Sequence, residues 1–134
     1  MARVRRHTTP PTLAELDALA RVMLAGIPEV LRRHAGDVVI RVEEFCDESV
    51  EIGMSLDSAF ELLGLYQGTP LHQKSVLDSG GPPDMVFLFR RPILDYWCET
   101  GDDLGHVIRH VLIHEIGHHF GFSDEDMERI EDMA

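Results

Sequence analysis

The chain's 134 residues, 44% of them hydrophobic, suffice for one compact domain with a real core and leave little room for a second. Twelve basic against 24 acidic residues give a formal net charge of −12, a field that repels phosphate backbones and anionic lipid, so neither nucleic acid nor a membrane surface is an expected partner. No apolar run approaches the ~20 residues that cross a bilayer, the basic Met1–His7 segment runs into Thr-Thr-Pro-Pro instead of a signal-type apolar stretch, and Cys46 and Cys98 make no disulfide framework. A cytoplasmic protein with reduced thiols is expected.

Residues 1–11 read as a flexible basic tail closed by Pro10 and Pro11, and the domain as 12–134. Thr12 caps a helix to about Ala25, with Leu13, Leu16, Leu19, Ala20, Met23 and Leu24 at three- and four-residue spacing and Gly26 as its stop. Pro28 to His34 adds a helical turn, and the β-branched run Val38–Val42 predicts the first strand. The acidic stretch Glu43–Glu51 reads as a solvated connection, and Leu56–Leu63 as a short helix ended by Gly64. Residues 65–71 and 78–83 are rich in turn formers.

Met85–Phe89, apolar throughout, predicts a strand buried on both faces and stopped by Arg90-Arg91-Pro92. Ile93–Cys98 reads as helical. Asp102 or Asp103 opens the longest helix, which continues to Phe120 and Gly121. Ser123 and Asp126 stand at capping-box spacing before a last short helix with Met127 and Ile130 on its apolar side. The total is an α+β fold with few strands and three or four helices.

One segment carries chemistry: His114-Glu115-Ile116-Gly117-His118-His119-Phe120-Gly121-Phe122-Ser123-Asp124. Residues four apart on a helix differ by ~40° and ~6 Å, so His114 and His118 can aim their imidazoles at one point. Such a pair suits zinc better than magnesium or calcium. Glu115, ~100° round from His114, stands beside the ion, where it can take a proton from a metal-activated water. Gly121 can end the helix in a left-handed conformation and swing Asp124 back as third ligand, leaving a fourth position for water. His-Glu-x-x-His alone arises by chance in on the order of one in a few hundred chains this long, and Gly and Asp at the right spacing make coincidence far rarer. His110, one turn before His114, is either a surface group or one facing the site. His119 points off the ligand face. Tyr66 and Tyr96 are candidates to polarise a carbonyl, although packing tyrosines are commoner.

The eleven-residue segment resembles the zincins with a metzincin-like His-Glu-x-x-His-x-x-Gly-x-x-Asp consensus. With 64–71, 83–93 and 111–121, the chain more closely resembles the small bacterial zincin-like metallopeptidase family of single-domain proteins. The resemblance implies a minimal zincin-like fold, a small mixed sheet packed on helices with a long active-site helix. It further implies one Zn2+ per chain on His114, His118 and Asp124, Glu115 as general base and acid, and a peptide or protein substrate aligned on a sheet edge. Only ten residues follow Asp124, against the long C-terminal subdomain of larger metzincins with its Met-containing turn. That shortness supports an alternative, a non-catalytic zinc-stabilised protein-binding module.

Overall fold

The computed structural model describes residues 9–68 and 83–133. Most of the basic N-terminal segment, 69–71 of the stretch 65–71 read as turn-rich and 78–82 of the loop read at 78–83 lie outside the described residues, whereas 65–67 belongs to a strand. Helix α1 (Leu13–Ala25) starts with a complete capping box, the Thr12 hydroxyl accepting from the Glu15 N–H and the Glu15 carboxylate from the Thr12 N–H, and stops at Gly26. Helix α2 (Glu29–Ala35) follows Pro28, and strand β1 spans Val39–Glu43.

Here the structure departs from the sequence reading. Glu48–Gly53, inside the stretch read as a connection, forms helix α3, to which Asp47 is the N-cap position. Its acids sit in the first turn, where the helix dipole favours them. The helix expected over 56–63 shrinks to a 3₁₀ turn at Ala59–Glu61, capped by Ser58. Gly64, read as a helix stop, instead begins strand β2 (Gly64–Gln67).

Strand β3 (Met85–Phe89) lies where the sequence placed it, with Val86, Leu88 and Phe89 buried and Met85 and Phe87 half-covered. It is the middle strand, in the order β1-β3-β2, parallel to β1 and antiparallel to β2. No loop follows it: helix α4 (Arg90–Thr100) begins at once, three residues earlier than expected. Pro92 does not prevent this, because the first four N–H groups of a helix have no internal partner to lose. Helix α5 (Leu104–His119) carries Asp103 as its cap, the carboxylate accepting from the His106 N–H. Helix α6 (Asp124–Glu131) opens with the expected Ser123–Asp126 capping box. Among the described residues this makes six α-helices and a three-stranded mixed sheet, an α+β fold richer in helix than expected.

The core joins Leu16 and Ala20 of α1, Leu31 of α2, Ile40 of β1, Val86 and Leu88 of β3 and Ile93 of α4 to α5 and to Met127 and Ile130 of α6. Helix α5 buries Leu104, Val107, Ile108, Val111, Leu112, Ile113 and Ile116, more than one face of a surface helix would. The strip carrying His106, His110, His114, Glu115 and His118, with His119 at the helix end, faces outward or towards β2. No described helix is long and apolar enough to cross a membrane.

Candidate metal centre and its cavity

Helix α5 sets the geometry. Val107 and Val111 are buried, and the same line of the helix surfaces at His114, 29% exposed, and His118, 57% exposed. Their ring centroids are 5.8 Å apart with the planes near perpendicular. The helix ends as the glycine demands: Gly121 has φ +80°, its N–H reaches the His118 carbonyl at 3.2 Å, and the Phe122 N–H reaches the Gly117 carbonyl at 2.9 Å. This left-handed C-terminal motif turns the chain back on the helix. Asp124 consequently stands with Oδ1 3.4 Å from His118 Nε2.

The last helix is held against α5 by packing and by hydrogen bonds. Met127 is fully buried beneath Gly117, where a Cβ would lie 2.5 Å from its sulfur. At the other end the Arg109 guanidinium donates to the carbonyls of Glu131 (2.8 Å) and Met133 (3.0 Å), satisfying acceptors that the helix terminus leaves open. These anchors also place Glu131, which the sequence reading had not singled out. Its Oε1 lies 2.5 Å from His110 Nδ1 and 3.1 Å from His114 Nε2. A signal existed: Glu131 follows Met127 by four residues, so it shares the helix face that turns to α5.

Glu115 points to the sheet side. It is half-buried against β2, and the Tyr66 backbone N–H donates to its carboxylate. Burial pushes its pKa above the usual carboxylate value, opposed by His118 and by that hydrogen bond. The His114 imidazole is pushed below its ordinary value, first by burial and then by neighbouring His110, which favours the neutral form that ligates metals. Gly64 lets strand and helix approach this closely, since a Cβ there would lie 2.6 Å from Val111 Cγ1 and 3.1 Å from the Phe87 carbonyl.

His114, Glu115 and His118 line one cavity of about 320 Å³ with Leu62, Gly64 and Tyr96. Of the two tyrosines, Tyr96 faces this space, whereas the Tyr66 hydroxyl donates to Asp84 at 2.6 Å and its ring stacks on His119, 3.9 Å between centroids. His119 thus packs on β2, away from the other imidazoles. The cysteines are both free, Cys46 buried and Cys98 exposed.

The donor set fits a zinc ion: neutral imidazoles, nearby carboxylates from α6 and a half-buried acid beside them. The described side chains do not, however, converge on one point. Asp124 faces His118, while His114 faces Glu131. A family model described as zincin-like metallopeptidase matches residues 35–134, well over half of the chain. No curated protein matches it.

Proposed function

The chain belongs to the zincin-like metallopeptidase family, and on that premise we propose that it hydrolyses peptide bonds with one zinc ion held by His114, His118 and Asp124. The observation that carries this reading is that His114, Glu115 and His118 open on one cavity whose far wall is the approach to strand β2. When bound, the ion supplies the Lewis acidity that polarises a carbonyl and acidifies a water. Everything else falls to the chain. Glu115, tethered to the Tyr66 N–H, takes a proton from the water and delivers it to the leaving amine as the C–N bond breaks. Its raised pKa makes it a stronger base towards that water proton than an ordinary carboxylate. The segment Leu62–Gly64, leading into the edge strand β2, offers backbone for an extended peptide, and Tyr96 stands within the same cavity to steady the scissile carbonyl.

The experiment is to load the parent and Glu115→Gln proteins with zinc and assay both on a peptide library. Equal zinc with activity only in the parent supports the mechanism; a Glu115→Gln protein as fast as the parent overturns it. The rival, a zinc-stabilised binding module, requires the ion to hold α6 in place. Since Met127 and Arg109 already hold that helix, removing metal is expected to lower the melting temperature by only a few degrees in a calorimetric scan. Loss of the folded transition on chelation would favour the module.

A further inference from the structure

Among the described side chains, Glu131 Oε1 is a buried oxygen without a hydrogen-bond partner. Two imidazole nitrogens nevertheless lie against it, His110 Nδ1 and His114 Nε2, neither in hydrogen-bonding geometry. A buried carboxylate oxygen left in this way keeps its desolvation cost, and a cation among the three groups removes that cost. One ligand atom from each of His110, His114 and Glu131 can be chosen so that all lie within 4.8 Å of one another. Bonds of ~2.0–2.2 Å to a shared ion need only small side-chain movements from there. Two imidazoles and a carboxylate suit zinc, cobalt or nickel, and not the hard cations that take all-oxygen shells.

We propose that His110, His114 and Glu131 form a second binding place for a divalent transition-metal ion, sharing His114 with the peptidase site. It lies towards the N-terminal side of that site, one turn back along α5. An ion there takes His114 Nε2, the nitrogen turned to Glu131, so it competes with an ion at His118 and Asp124 instead of adding to it. His110 and Tyr96 line both the 320 Å³ cavity and an adjoining one of about 290 Å³ that also holds Asp102, His106 and Glu131. The second place is therefore open to solvent by a path that avoids β2. Excess metal would draw His114 away from the peptidase site and lower activity. The proposal goes beyond the peptidase reading and stands even if Glu115 proves idle.

The test is a Co2+ titration followed by calorimetry and visible absorption on the full chain. The parent is compared with a His118→Ala/Asp124→Ala protein, and with that protein carrying Glu131→Gln or, since His110 is exposed and outside the buried core, His110→Ala. The expected result is one Co2+ in the double variant, bound at least tenfold more weakly once Glu131 or His110 is also changed. No Co2+ in a folded double variant, with binding intact in the parent, overturns the proposal while leaving the peptidase site standing. Unchanged affinity on adding either third substitution overturns it as well. If Glu131→Gln alone strips the parent of metal and Asp124→Ala does not, the second place is upheld and the Asp124 assignment falls.

Discussion

Helices α1 and α5 lie in one core, and both begin at side-chain caps, yet they present opposite outer faces. The exposed side of α1 is a solvated surface with an Asp17–Arg21 pair at 2.8 Å, the kind of contact worth at most ~1 kcal/mol. The outer strip of α5 carries imidazoles at four-residue intervals and an acid drawn half into the protein, and it lines two open cavities. The same periodicity thus encodes packing in one helix and a site in the other. What separates them is what the non-core face looks at.

The sharpest way to break that contrast is to remove one carboxylate from each helix. Glu115→Gln is expected to lower kcat/KM by ~10²–10⁴-fold with zinc retained, while Glu15→Gln leaves turnover unchanged; comparable losses in both would dissolve the distinction. Gly64→Ala comes next. The added methyl must push β2 away from Val111 and the Phe87 carbonyl, costing ~1–3 kcal/mol in urea unfolding, and it moves Glu115 with it, so activity falls by more than stability explains.

Cap substitutions sharpen the comparison. Thr12→Ala and Ser123→Ala should each cost ~1 kcal/mol, measured by thermal unfolding, but only the second, next to Asp124, should weaken zinc binding. The smallest effect concerns pH. Burial raises the folded-state pKa of Glu115, so its contribution to stability is full below the unfolded value near 4.5 and is lost as pH rises through the higher folded value. In metal-free protein, Glu115→Gln should flatten stability against pH over that window.

Much of this was legible beforehand because it is local. Thr12, the pair Asp102–Asp103 and Ser123 announce three helix starts, Gly121 announces a turn, and the run Met85–Phe89 announces its strand. Strand β2 was not legible, because four residues beginning with glycine have no alternation to show and gain their structure from β3 and α5. Glu131 was marked only by its four-residue spacing from Met127, and its importance comes from histidines 17 and 21 positions earlier, brought to it by the packing of two helices.

The packing of α1 on α5 has a consequence for how the protein is made. Leu16 and Ala20 share their core with strand β1 and with a helix that begins only at Leu104, and the Pro11 carbonyl is held by Arg90, 79 residues further on. At ordinary rates of translation, roughly 5–20 residues per second, the first helix waits on the order of 5–20 seconds for its partner. During that interval its apolar stripe is open to chaperones and to other nascent chains. Yield in a cell should therefore respond to the polarity of α1 more steeply than the stability of the finished protein does.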